Sequence, residues 1–206
     1  MLGANSWNGI RLAVASSNPG KLREYQALAA GHPIELQLFP DFDSLPAFEE
    51  IYPTFAENAA GKALHYSRHT SLPVIADDSG LVVPALGGAP GPKSARYAGP
   101  NASDAERVQK LLEELRGKSG DARRARFVCV QALAQSGKIM AVFSDFVEGV
   151  LLDAPRGSGG FGYDPLFFYE PLGKTFAEIP RDQKNQFSHR GKSFRKLMAF
   201  LEGMDL

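Results

Sequence analysis

The chain has 206 residues, 44% hydrophobic and 22% charged, with 23 basic side chains against 23 acidic ones. That length can bury a sizeable core in one large domain. The balance of charge leaves no overall field to draw the protein onto nucleic acid or a membrane, so an anion must be captured by a local arrangement of groups.

The pattern of apolar residues predicts a buried strand over 10–16 and a helix over 19–30 carrying Leu22, Tyr25, Leu28 and Ala29. IELQLF at 34–39 alternates as a second strand does, and the proline- and acid-rich segment 40–53 reads as an irregular loop. Thr54 and Glu57 form a capping box ahead of a helix whose face holds Phe55, Ala59, Ala63 and Tyr66. LPVIA at 72–76 reads as a short buried strand ending in the turn ADDSG. A glycine- and proline-rich loop spans 87–101, and a second capping box, Ser103 with Glu106, opens a helix over 104–116. Two apolar runs flanking Ser136-Gly137 predict an antiparallel hairpin. After the glycine loop RGSGGFGYDP, a final helix starts near Ser188 with the stripe Phe194, Leu197, Met198 and Leu201. There is no internal repeat and no long linker. Helices alternating with strands early and a hairpin late predict an α/β fold on a mixed sheet.

No apolar stretch approaches the ~20 residues of a membrane span. The start, MLGANSWNGIR, lacks the regions of a signal peptide, so the expectation is a soluble, cytoplasmic protein with neither membrane nor nucleic acid as partner. The single cysteine, Cys129 in FVCVQAL, excludes an intramolecular disulfide and a cysteine zinc cluster and points to a buried, inert thiol.

Several short motifs carry chemistry. SSNPGK, residues Ser16, Ser17, Asn18, Pro19, Gly20 and Lys21, sits where a strand hands over to a helix. Free backbone N–H groups, the positive end of the helix and a lysine there suit phosphate; a plain capped helix start would look the same. It is neither a Walker loop nor a dinucleotide fingerprint. Asp77 and Asp78 place two carboxylates after a buried strand, where an open α/β sheet binds ligands and where magnesium takes oxygen ligands; backbone-capping aspartates are the alternative. Glu49 and Glu50 offer further acid. Asn58 and Lys62 share a helix face, and Lys62 can reach a phosphate or stay solvated. Lys93 and Arg96 lie in the 87–101 loop, which a surface lid would resemble. Phe161, between glycines in GGFGYDP, can stack on a base or pack inward. Lys184, His189 and Arg190 can donate to an oxygen-rich base edge, though such a histidine is also common as a structural group. His32, His65 and His69 show no metal-site spacing. Phosphate holders, an acidic metal holder and a stacking aromatic together are the parts of a nucleoside triphosphate enzyme.

In order, SSNPGK with Glu24, TFAENAAGKA, LPVIADDSGLVVPALGGAPGPKSARYAG, GGFGYDPLFF and SHRGK resemble the Ham1/RdgB-like family of inosine/xanthosine triphosphate pyrophosphatases. The resemblance runs from about Ile10 to the C-terminus, with 1–9 a flexible extension of a single 1–206 domain. It implies an elongated two-lobed fold with the substrate cleft between the lobes, and a homodimer. It also implies hydrolysis of the noncanonical purine nucleotides ITP, dITP and XTP to monophosphate and pyrophosphate, with magnesium. On this sequence, Ser16 to Lys21 would hold the triphosphate and Lys62 would assist catalysis. Asp78 would be proton acceptor and metal ligand, with Glu49 the second metal ligand and Asp77 and Glu50 in support. Ser79, Phe161, Gly162, Tyr163, Asp164, Lys184, His189 and Arg190 would line the nucleoside pocket. Maf-type pyrophosphatases, which share the Ser-x-Asn-Pro-x-Lys opening, are the nearest rival, and a non-catalytic nucleotide-binding protein the next.

Overall fold

The computed structural model describes residues 9–39 and 42–203, so the expected flexible extension lies outside the described residues except for Gly9. The first strand, β1 (Ile10–Val14), leads through the SSNPG turn into α1 (Pro19–Ala29). Then come β2 (Ile34–Leu38), α2 (Phe55–Tyr66), β3 (Val74–Val82) and α3 (Asp104–Glu114). The hairpin β4 (Arg124–Gln135) and β5 (Lys138–Leu151) follows, with the short β6 (Phe167–Tyr169) and β7 (Lys174–Thr175). Two helices close the chain, α4 (Arg181–Phe187) and α5 (His189–Glu202). The Ser103–Glu106 box closes reciprocally, while at Thr54 the hydroxyl alone makes the cap, accepting from Glu57 N and donating to Glu57 Oε2. Ser136 and Gly137 both take positive φ, as the two-residue turn of a right-twisted hairpin requires.

Among the described residues these strands form one mixed sheet in the order β2-β1-β3-β4-β5-β6-β7. β1 runs parallel to β2 and β3, and every later pair is antiparallel. Side chains alternate across the strands, so each face gathers its own core. On one face Leu12, Val14, Ile75 and Leu133 meet Tyr25 of α1 and Phe194, Leu197 and Leu201 of α5. On the other, Ala13, Ala15, Ala76, Ala132 and Ala134 meet Ala59, Ala63 and Tyr66 of α2. An interface built mainly of alanines lets a helix backbone approach the sheet closely. A third cluster, including Leu81, Leu111, Phe127, Phe167 and Phe176, fills the far end of the sheet.

One prediction needs correcting. ADDSG is not a turn that ends the strand: β3 runs on through Asp77, Asp78, Ser79 and Gly80 to Val82. Its partner explains why. The ladder to β4 continues past the apolar stretch, pairing Asp77 with Gln131 and Asp78 with Val130, so backbone hydrogen bonding outlasts the polar side chains. β1 pairs with β3 only at Val74 and Ile75 before turning into α1. Beyond that point the edge of β3 is open toward α1, and an α/β sheet places its ligand crevice at such a switch of direction.

Candidate active site

A cleft of about 890 Å³ opens over this edge. Its lining includes the whole Ser16–Lys21 turn, Lys62, Asp78, Ser79, Phe161, Gly162, Tyr163, Asp164, Lys184, His189 and Arg190. Groups as far apart in the chain as Ser16 and Arg190 therefore face one space. Asp77 and Glu49 do not line it, and Lys93 is exposed outside it while Arg96 lines it.

Strand alternation divides the two aspartates. Asp78 points toward α2, where Asn58 Nδ2 donates to its Oδ2 at 2.9 Å. Asn58 is itself fixed, exchanging hydrogen bonds with the Tyr52 backbone at 3.0 and 3.1 Å. Asp78 is 3% exposed. Burial and the facing Glu50 raise its carboxyl to about 6, against the pull of Lys21, Asn58 and Lys62. Asp77 points the other way and serves as an anchor behind the strand. Its Oδ2 accepts from Lys21 at 3.0 Å and from Arg190 Nη2 at 3.1 Å, and lies 3.9 Å from Cys129 Sγ. Burial opposes its ionisation, but Lys21, Arg190 and Lys62 overcome it and hold the carboxyl well below the usual range. Burial also pushes the Cys129 thiol far up, which suits the inert role expected of it. Lys21 and Lys62 both donate to the Asp77 carbonyl, at 3.4 and 3.2 Å. Two ammonium groups from different helices thus stand beside Asp78.

Of the two candidate glutamates, Glu50 is the one turned inward. It pairs with Lys62 and Arg96, and Arg96 also donates to its carbonyl, while Glu49 stays exposed. The basic pair fixes Glu50; nothing comparable draws Glu49 into the cleft. The phosphate turn is the capped helix start that its sequence allowed, with Pro19 opening α1. Asn18 Oδ1 already accepts from Gly20 N at 2.9 Å and Lys21 N at 3.1 Å, and Ser16 Oγ accepts from Asn18 N at 3.2 Å. Two of the N–H groups expected to face a phosphate are therefore capped internally. What the turn presents to an anion is the Lys21 ammonium, the Ser16 and Ser17 hydroxyls and the positive end of α1.

At the other end of the cleft is a buried network that sequence reading did not assemble. Glu24 of α1 pairs with Lys184 at 2.8 Å and with Arg190; Lys184 also pairs with Asp164 at 2.6 Å, and Arg190 Nη2 donates to Ser79 Oγ at 2.7 Å. Burial works against the Glu24 charge, but Lys184 and Arg190 lower its carboxyl to about 2. Glu24 appeared in the opening motif without a role; its one signal was a carboxylate next to Tyr25 on the helix's buried side. Arg190 is thereby committed to protein acceptors rather than free to read a base. His189 is buried and stacks on Phe127, centroids 5.0 Å apart at 12°. Burial and Arg190 push its pKa well down, so the ring is neutral, and its buried Nδ1 has no hydrogen-bond partner among the described residues. Phe127 lines the cleft as well, a role its strand pattern did not suggest. Phe161 sits against Gly20 on one side, with the Lys184 ammonium 5.3 Å from its ring centroid.

The donor set fits a hard divalent cation. Asp78 and Glu50 are two carboxylates lining one cleft, and burial first, then the charge of Glu50, raises the Asp78 carboxyl, a cost that a cation would offset. Magnesium needs only one or two such groups, with water and phosphate completing its shell.

A sheet that passes from parallel to antiparallel pairing beside paired lysines and buried acids, with an aromatic ring at the far end, has the form of an α/β nucleotide site. The chain belongs to the Ham1 family, whose model matches residues 12–200. It is 50% identical over 186 residues to a dITP/XTP pyrophosphatase of Geobacillus kaustophilus, covering 90% of this chain and 91% of that one. The solved HAM1 protein of Coxiella burnetii superposes with a TM-score of 0.84 at 42% identity, covering 95% of this chain and all of that one. The Staphylococcus aureus Ham1 protein gives 0.82 at 40%, covering 94% and 98%.

Proposed function

We propose that this chain is a nucleoside triphosphate pyrophosphatase that hydrolyses dITP, ITP and XTP to the monophosphate and pyrophosphate. The observation that carries the reading is Asp78, a buried carboxylate facing Glu50, with Lys21 and Lys62 converging beside it on the carbonyl of Asp77. The curated relative of Geobacillus kaustophilus, matched along most of both chains, supports the choice of substrate.

In this reading Lys21, Lys62 and the Ser16–Ser17 hydroxyls bind the triphosphate, and Asp77 locks Lys21 in place. Asp78 takes a proton from a water that attacks the α-phosphorus. The new P–O bond forms as the α–β bridge breaks, and pyrophosphate leaves with the electron pair. Asp78 and Glu50 would hold magnesium, which would supply neutralisation of the phosphate charge. Glu50 replaces Glu49 as second ligand because it is the acid that faces the cleft. Phe161 stacks on the base, while His189 and the remaining ammonium proton of Lys184 meet its polar edge. Arg190 acts from behind, holding Glu24, Asp77 and Ser79. The working unit is a homodimer in the cytoplasm, built from a single domain; Val142 and Phe146, exposed on β5, offer apolar surface to a second copy.

Incubation with magnesium and a panel of dITP, XTP, dGTP, dATP and dUTP tests the reading. Pyrophosphate is expected from dITP and XTP. Release of orthophosphate, a preference for the pyrimidine as in Maf-type enzymes, or no turnover would overturn it. Gly20 gives a second check. A Cβ there would stand 2.7 Å from Phe161 Cδ1, too close for any real contact, and its three nearest neighbours would all be atoms of that ring. Gly20→Ala is expected to displace the ring and raise KM for dITP by about tenfold, measured by steady-state kinetics.

A further inference from the structure

We propose that Asp104, in the first turn of α3, is a positioning residue that holds the Gly159–Asp164 loop and so sets the plane of Phe161. The proposal rests on the nucleotide reading above and adds to it a residue outside the motifs that suggested that reading. Gly162 N donates to Asp104 Oδ2 at 2.7 Å, across from one element of the cleft wall to another. Within the loop, Phe161 N donates to Asp164 Oδ2 at 3.0 Å. Phe161 is thus fastened on one side from inside its loop and on the other by Asp104. The two glycines around it, Gly160 and Gly162, have φ of 70° and 62°, a region few other residues enter. Such glycines leave the backbone beside Phe161 a choice of conformations, and these two ties act with the packing of the ring on Gly20 to fix where it lies.

The Asp104 carboxylate is aimed rather than loose. Arg107 pairs with its Oδ1, and Arg107 Nη1 also donates to the carbonyls of Ala95 and Ala102, both at 2.7 Å. Asp104 and Arg107 both line the cleft. The cap of α3 does not need Asp104, because Ser103 and Glu106 close that helix start between them. Oδ2 therefore serves the loop. Asp104 is 45% exposed, so its bond competes with water and the effect expected is a modest one. Losing the tie weakens base stacking equally in the ground and transition states, which raises KM and leaves kcat in place.

The experiment compares Asp104→Ala and Asp104→Asn with wild type, using dITP turnover, inhibition by inorganic tripolyphosphate and thermal melting. For Asp104→Ala, KM for dITP is expected to rise by about three- to tenfold with kcat within about twofold. Tripolyphosphate, which has no base, should inhibit as in wild type, and the melting temperature should move little. Asp104→Asn keeps an acceptor oxygen and should return KM most of the way. An unchanged KM in the alanine variant, an asparagine variant as impaired as the alanine one, or weakened tripolyphosphate inhibition would each overturn the proposal while leaving the nucleotide reading standing. A wild type that neither binds dITP by calorimetry nor hydrolyses it would instead remove that reading, and this one with it.

Discussion

Asp78→Asn is expected to cut turnover of dITP by about 10²–10⁴-fold, the usual worth of general-base help, and at the same time to make the metal-free protein more stable. Both effects come from one cause. The carboxylate is buried against Glu50, and its pKa is raised from 3.8 to about 6. At pH 7 the folded protein thus holds a charge it disfavours, by roughly 3 kcal/mol for a shift of that size. An amide of nearly the same shape carries no charge and can still accept from Asn58. For a domain of this size the relief corresponds to a melting temperature higher by roughly 5–10 °C. Between pH 3.8 and about 6 the folded state binds more protons at Asp78 than the unfolded state does, so wild-type stability falls as pH rises through that window. The gap between variant and wild type should therefore be full at pH 7 and largely gone by pH 4. Melting curves in a chelator at the two pH values measure it. Retained turnover would remove Asp78 from the chemistry; a variant less stable than wild type at pH 7 would show that the carboxylate is not strained.

Local signals carried most of the fold. The Ser136-Gly137 turn specified its hairpin because two adjacent positive φ values are needed there, and the Thr54 and Ser103 caps marked helix starts to the residue. Local signals stop where a distant partner decides. Polar Asp77 to Gly80 looked like a turn, yet β4, some fifty residues on, supplies the ladder that keeps them in the strand. For the same reason spacing alone could not say that Asp77 and Asp78 do different jobs; only their membership of a strand puts them on opposite faces. α4 was missed altogether, being seven residues long with no side-chain cap. The motifs named the residues of the cleft and allowed the capped start that Asn18 makes, but not the partners of Arg190, which spends its guanidinium on Glu24, Asp77 and Ser79.

Glu24→Gln tests whether that second network is what keeps the cleft assembled. Glu24 lies more than 150 positions from both Lys184 and Arg190, and its carboxylate joins α1 to both of them. Replacing its charge leaves an ammonium and a guanidinium buried with one fewer counter-ion each, an imbalance that costs about 3–5 kcal/mol when a buried pair is broken. Glutamine preserves the volume, so no cavity adds to the loss. A fall in melting temperature of roughly 10 °C is expected at pH 7. The pH dependence identifies the cause. Lys184 and Arg190 lower the Glu24 carboxyl from 4.5 to about 2, so its contribution is complete above pH 4.5 and disappears as pH drops toward 2. Other carboxylates titrate in both proteins, and the difference between them isolates Glu24. Variant and wild type should converge in acid; a gap that stays constant from pH 7 to pH 3 would mean that glutamine disturbs packing there and that the glutamate charge is not what binds α1 to α4 and α5.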